Sequence, residues 1–262
     1  MKPATALKAM TNINDGVLMR GAFYLLLAAA ATFLVIDIIE ISEVEAARPG
    51  VETVPDVPTF LPPKIAPDAP GAPPVKPSSP EAVLRKPMTF NLISGGVLYA
   101  EGTIDPGAAE RFAHEIEARG EYIKFVALNS PGGSVDDAIA MSKLIRQKAI
   151  GTKIDERALC ASSCPIVFAG GVTRTAEKDA VIGVHQVFNG GIEPVSPDQA
   201  MSSAQAVTAR VARHLDEMGI GAGLWIHALE TPPNQLYYLT PEKMAEYRLT
   251  TNAAAVVKLN QG

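Results

Sequence analysis

YIKFVALNSPGGSVDDAIAMSKLIRQ, residues 122–147, is the stretch that decides the fold class. YIKFVAL is a short apolar run bounded by a turn signal, which reads as a buried strand. NSPGG follows as the turn. Ser134 then caps a helix whose first turn carries Asp136 and Asp137, and Val135, Ala138, Ile139 and Ile145 line one of its faces.

The same order recurs outward from this unit. On the N-terminal side MTFNLI (Met88 to Ile93) and VLYAEGTI (Val97 to Ile104) are β-rich runs separated by SGG. Asp105-Pro106 then predicts a helix start, with Phe112, Ala113 and Ile116 as its apolar stripe and Gly120 as its end. On the C-terminal side GTKI is a short strand, ERALCASSCPIVFAGG (residues 156–171) a second turn into a helix, and AVIGVHQVF (Ala180 to Phe188) a further strand. Ser196-Pro197-Asp198-Gln199 is a capping box that opens a long helix to about Met218. Gly219, Gly221 and Gly223 loosen the chain before a shorter helix with Trp225; TPPNQLYYLT and PEKMAEY supply a last strand and helix. Strands alternating with helices at this spacing imply right-handed βαβ crossovers and a mostly parallel sheet, an α/β fold.

The first third of the 262-residue chain has a different character. GAFYLLLAAAATFLVI (Gly21 to Ile36) is uncharged and, extended back to Gly16 across Arg20, approaches the ~20 residues that cross a bilayer. It reads as a membrane helix or a signal peptide. Acidic and bulky residues, IDIIEISEVE, stand where a small-residue cleavage site would be needed, which favours an uncleaved anchor. Lys2, Lys8 and Arg20 precede the run against Asp15, and Asp37, Glu40, Glu43 and Glu45 follow it, so the expected orientation has the N-terminus in the cytoplasm and the remainder in the periplasm. Pro49 to Pro80 is dense in proline and reads as an extended spacer. The expected organisation is a cytoplasmic segment over 1–20, a transmembrane anchor over 21–37, a Pro-rich periplasmic linker over 38–86 and a folded domain over 87–262. A net charge of −5, with no block of Lys and Arg, argues against nucleic acid as a partner.

Three segments of the domain carry residues suited to chemistry. Gly132 and Gly133 in NSPGGSV are able to turn backbone N–H groups toward one point, as an oxyanion or phosphate site requires, or they serve a tight turn alone; no GK[ST] follows, so this is not a P-loop. Ser162 and Ser163 stand at the equivalent place in the next crossover, where a serine is either a helix cap or a nucleophile. His185 interrupts the apolar run VIGVHQVF, either as a structural histidine or as a general base. His114 and His214 fall among charged neighbours on amphipathic helices, and His227 lies beside Trp225. The His114-Glu115 pair has no second histidine four residues on, so a zinc-protease motif is absent.

Together and in that order, NSPGGSV, CASSCPIVFAGG and VIGVHQV resemble the Clp protease proteolytic subunit and the wider Clp protease/crotonase superfamily, in its membrane-anchored periplasmic branch, over roughly residues 92–249. The resemblance implies a fold of repeated ββα (βαβ) units. It makes Ser162 the nucleophile and His185 the general base, with an oxyanion hole from the N–H groups of Gly132 or Gly133 and of Ser163. The aspartate expected by the family is missing: ETPPNQLYYLT has Leu236 at the ungapped position, which leaves Asn234 as the nearest polar group and Glu230 as the nearest acid. Asn234 is therefore expected in the third catalytic place, with Glu230 or no side chain at all as the other settings.

The function so implied is a membrane-anchored, periplasm-facing serine hydrolase of peptidase type, acting on peptides or proteins. It calls for no cofactor and no metal, implies homo-oligomers, and lacks an ATP-binding motif that would suggest an ATPase partner. The alternative is a non-catalytic binding or scaffold protein with a degenerate triad; crotonase-like acyl-thioester chemistry is disfavoured by the serine–histidine pair and the compartment. Either cysteine would be displaced by two residues from the serine position, and two cysteines are too few for a metal site. An outward-facing domain favours a Cys160–Cys164 disulfide over two buried thiols, and the bond would stiffen the turn that holds Ser162.

Overall fold

In the computed structural model, residues 15–46, 61–64, 69–71, 73, 78–187 and 196–251 are described. The sequence-based expectations for residues 1–14, for most of the spacer and for the end of the strand at Phe188 lie outside them. The chain forms two units, Met1–Val57 and Pro58–Gly262.

The first unit contains helix α1 (Asp15–Ala46). Its 32 residues span ~48 Å at 1.5 Å per residue. Gly16–Ile36 is a stretch of 21 residues with a mean hydropathy of 1.9. That apolar length matches the ~30 Å hydrocarbon layer of a bilayer.

The second unit is an α/β fold. A five-stranded sheet runs in the order β1-β2-β3-β4-β6, formed by β1 (Thr89–Ile93), β2 (Val97–Glu101), β3 (Phe125–Asn129), β4 (Gly151–Ile154) and β6 (Arg174–Ala176). β1 and β2 form an antiparallel hairpin; every later pairing in this sheet is parallel. A second sheet has the order β5-β7-β8, from β5 (Leu159–Ala161), β7 (Val181–Val184) and β8 (Tyr237–Tyr238), with β5 and β7 parallel and β8 antiparallel to β7. β5 and β7 are buried along their whole length, as strands covered on both faces must be.

The helices cover these sheets: α2 (Glu81–Leu84), α3 (Ala108–Arg119), α4 (Val135–Gln147), α5 (Cys164–Ala169), α6 (Pro197–Glu217), α7 (Ala222–Leu229) and α8 (Pro241–Glu246). Phe112 and Ile116 of α3, Met141 and Ile145 of α4, Phe168 of α5 and Val211 of α6 enter one apolar core with Leu98, Val126 and Leu128 of the strands. Ser134 caps α4 through the Asp137 N–H, and the Ser196/Gln199 capping box opens α6.

The structure corrects several boundaries. The strands divide between two sheets instead of forming one. The helix expected at Asp105 begins at Ala108, because Gly107 takes φ 92° and the Asp137 carboxylate accepts the Gly107 and Ala109 N–H groups. β6 has no counterpart among the expected strands. Most consequential, residues 61–64 and 78–86 of the expected linker are part of the second unit. Leu61 joins a small apolar cluster with Leu84, Leu159, Leu236 and Tyr238, and Asn129 donates to Ser79 Oγ at 2.9 Å.

Candidate active site

The end of β5 delivers Ser162 into the space where the two sheets meet. Ser162 has φ 59°, the left-handed region that a residue with a Cβ seldom occupies. Holding it there costs ~1–3 kcal/mol, which the surrounding structure must supply. Two constraints do so. The Ser162 N–H donates to the Gly183 carbonyl at 3.0 Å, and a Cys160–Cys164 disulfide, with a Cα–Cα distance of 5.1 Å, spans the turn. Ser163 then returns to right-handed geometry and precedes α5, with Pro165 in the first turn. This is a sharp strand-to-helix turn with a serine at its apex, the geometry that exposes a nucleophilic hydroxyl.

The glycine pair lies against that apex. A Cβ on Gly132 would sit 2.6 Å from Ser162 Cβ and 2.8 Å from the Ser163 nitrogen, so only glycine permits the approach. The two glycines differ in what their N–H groups do. Gly132 N–H donates to Ser130 Oγ at 3.1 Å and is occupied. The Gly132 carbonyl accepts the Ile104 N–H at 2.8 Å, so across the trans peptide the Gly133 N–H points away from Ile104. Among the described residues neither the Gly133 N–H nor the Ser163 N–H meets an acceptor. The sequence leaves Gly132 or Gly133 as the donor, and of the two the Gly132 N–H is engaged with Ser130 Oγ.

His185 lies one residue beyond β7, with 7% of its surface exposed. Its Nδ1 is 2.9 Å from the Pro233 carbonyl oxygen, which assigns the ring proton to Nδ1 and leaves Nε2 as the basic nitrogen. Burial pushes the imidazole below its ordinary value of 6.5, and the Pro233 carbonyl opposes that in part. The neutral, proton-accepting form therefore holds at pH 7. Gln186 fixes the segment next to the same loop, its N–H on the Thr231 carbonyl at 2.9 Å and its Nε2 on the Leu229 carbonyl at 2.6 Å.

The acceptor at His185 Nδ1 is the carbonyl of Pro233, the residue before Asn234. Glu230 is engaged elsewhere, 3.1 Å from Lys64 Nζ. A main-chain carbonyl thus stands where a side chain was expected. No residue type signals such a partner, so the sequence carries no mark of it.

Ser162 and His185 line one cleft, with Pro165, Ile166, Val184, Leu215, Leu224, Trp225 and Ala228 as its remaining walls. These walls are apolar apart from the indole of Trp225. A hydroxyl–imidazole hydrogen bond lies elsewhere: His214 Nε2 is 2.8 Å from Ser142 Oγ. Ser142 is wholly buried in the middle of α4 and His214 is 3% exposed, so this pair ties α4 to α6 and offers no access to a substrate. His227 stacks on Tyr237 at 3.9 Å and bonds Tyr247, and His114 is exposed on α3.

No family model matches the chain. Among solved structures it is similar to a ClpP1 point mutant from Listeria monocytogenes, at 13% identity and a TM-score of 0.48, covering 59% of this chain and 88% of that one. It is also similar to a peptidase from Plasmodium falciparum, at 13% identity and a TM-score of 0.47, covering 60% and 94%. Likeness at this level concerns the fold alone, and the site described above stands on its own geometry. In fold, the second unit is an α/β structure with mostly parallel strand pairing.

Proposed function

We propose that the protein is a serine hydrolase of peptidase type, held at a membrane by α1 with its catalytic unit on the periplasmic side. One observation carries the reading. Ser162, strained into a left-handed turn, lines the same cleft as His185, whose Nδ1 proton is engaged by the Pro233 carbonyl. In the proposed reaction Ser162 Oγ attacks the substrate carbonyl carbon while His185 Nε2 takes the hydroxyl proton. The oxygen that becomes negative is met by the Gly133 and Ser163 N–H groups. The imidazolium returns its proton to the leaving amine, the C–N bond breaks, and water repeats the sequence on the acyl-serine to release the acid. Pro233 supports the imidazolium through the Nδ1–H bond, without the full negative charge of a carboxylate. The apolar cleft suits an apolar side chain next to the scissile bond, which makes peptides the substrate class; assembly with further copies of the chain belongs to the same proposal.

A carbonyl in place of a carboxylate is also what a non-catalytic scaffold on this fold would retain, and one experiment separates the two. The full chain in detergent reacts with a fluorophosphonate, Ser162→Ala does not, and His185→Ala reacts roughly 10²–10⁴-fold more slowly. Folded His185→Ala that reacts as fast as the parent removes the base from the mechanism, and a folded parent that does not react at all favours the scaffold.

A further inference from the structure

The proline-rich stretch reads as a spacer, yet its residues 61–64 are part of the second unit. Residues 61–64 run alongside the segment before β8 as a one-bridge parallel strand, Pro63 opposite Leu236. The Leu236 N–H donates to the Pro62 carbonyl at 2.9 Å, and the Lys64 N–H donates to the Leu236 carbonyl at 2.9 Å. Tyr238 adds its hydroxyl to the Leu61 carbonyl at 2.6 Å, and burial raises that phenol to about 12, so it remains a donor at any working pH. Lys64 Nζ reaches Glu230 at 3.1 Å, its side chain 15% exposed.

These contacts bracket one loop. Glu230 is the residue after α7 and Leu236 the residue before β8; between them the chain turns through Thr231 to Gln235, and Pro233 in the middle offers its carbonyl to His185. Prolines are rare in sheets because they lack a donor, but at an edge they leave their carbonyls available. Pro62 uses that property, and the restricted φ of Pro62 and Pro63 makes the docked strand inexpensive to order.

We propose that residues 61–64 are a positioning segment that clamps both ends of the 230–236 loop and so holds the Pro233 carbonyl on His185. Stripping it from the edge frees the loop, lets the ring change tautomer and slows acyl transfer. The stretch that joins the membrane helix to the catalytic unit thereby sets the state of the general base. This rests on the proposed roles of Ser162 and His185, so its test includes a readout that does not need them.

Lys64→Pro in the full chain removes the donor to Leu236 and the ion pair while continuing the polyproline geometry of Pro62 and Pro63. Lys64→Ala removes the ion pair alone, which for a partly exposed pair costs no more than about threefold in rate. Tyr238→Phe removes the hydroxyl from a ring that stays packed, and gives a folded test if Lys64→Pro does not accumulate. The expected result for Lys64→Pro is a loss of tenfold or more in the fluorophosphonate reaction, a fall in kcat on a peptide ester with KM within twofold, and faster solvent exchange of the His185 Nδ1 proton in ¹⁵N-histidine spectra. Tyr238→Phe moves the same proton signal in the same direction. An unchanged Nδ1 signal and labelling rate in both variants overturn the clamp even if the parent is an active hydrolase. A parent that does not label, but whose Nδ1 proton still loses protection in Lys64→Pro, overturns the hydrolase and keeps the clamp.

Discussion

At Ser162 a residue with a Cβ occupies φ 59°, where glycine would relieve ~1–2 kcal/mol of steric cost. Ser162→Gly tests whether the strain serves the hydroxyl. The reaction with fluorophosphonate is lost, while the unfolding free energy from urea titration stays level or rises by up to ~1 kcal/mol, the relief being partly offset by glycine's greater freedom in the unfolded chain. A marked loss of stability would mean that the hydroxyl was holding the turn. His185 makes the second residue-level prediction. Its folded value lies below 6.5, so the acid limb of the labelling rate against pH has its midpoint below 6.5. For stability the sign follows from the same shift: the unfolded ring takes a proton near pH 6.5 that the buried ring refuses until lower pH. The stabilising contribution is present above 6.5 and is lost as pH falls through that interval. His214 and His227 are lowered by burial in the same way and act in the same direction.

Among the elements, the turn between β5 and α5 depends on the bond from Cys160 to Cys164, both wholly buried. A bridge that closes so short a loop contributes ~2 kcal/mol through the unfolded chain. The Cys160→Ala, Cys164→Ala double variant is therefore expected to unfold about 2 kcal/mol more easily in urea and to label more slowly, because the apex at Ser162 loses one of its two constraints. Unchanged labelling would show that the Gly183 carbonyl suffices alone. The legibility of the elements follows their chemistry. The run over residues 122–147 is plain in the sequence because an apolar strand, a glycine pair and a serine cap each leave a compositional mark; Ser162 stands out at a turn into a helix and His185 as the polar interruption of an apolar run. Arg174–Ala176 does not, since three residues with a charged end show no period. The Pro233 carbonyl leaves no mark, because every residue has one. The start of α3 is set by Asp137 from another helix, and the docking of residues 61–64 by edge pairing, which proline content conceals.

For the whole molecule, α1 and the catalytic unit make separate demands. The 21-residue apolar stretch is long enough to cross a bilayer, and acidic, bulky residues follow it where a cleavage site would need small ones. The full-length chain is accordingly expected to stay in the membrane fraction through an alkaline carbonate wash and to keep its N-terminal residues by intact mass. A soluble product lacking roughly the first 40 residues would identify α1 as a removed signal. The second unit begins at Pro58, so any truncation that removes residues 61–64 also removes contacts to the loop that carries Pro233.

If the strained serine between the glycine turn and the buried histidine is the nucleophile, it alone carries a covalent adduct. The most direct test is to treat the full chain in detergent with a fluorophosphonate, digest it with trypsin and locate the adduct by fragmentation. The expected result is a single adduct on each chain, on the peptide that begins at Ala158, assigned to Ser162. A folded chain with no adduct, or an adduct at Ser142 beside His214, would contradict it.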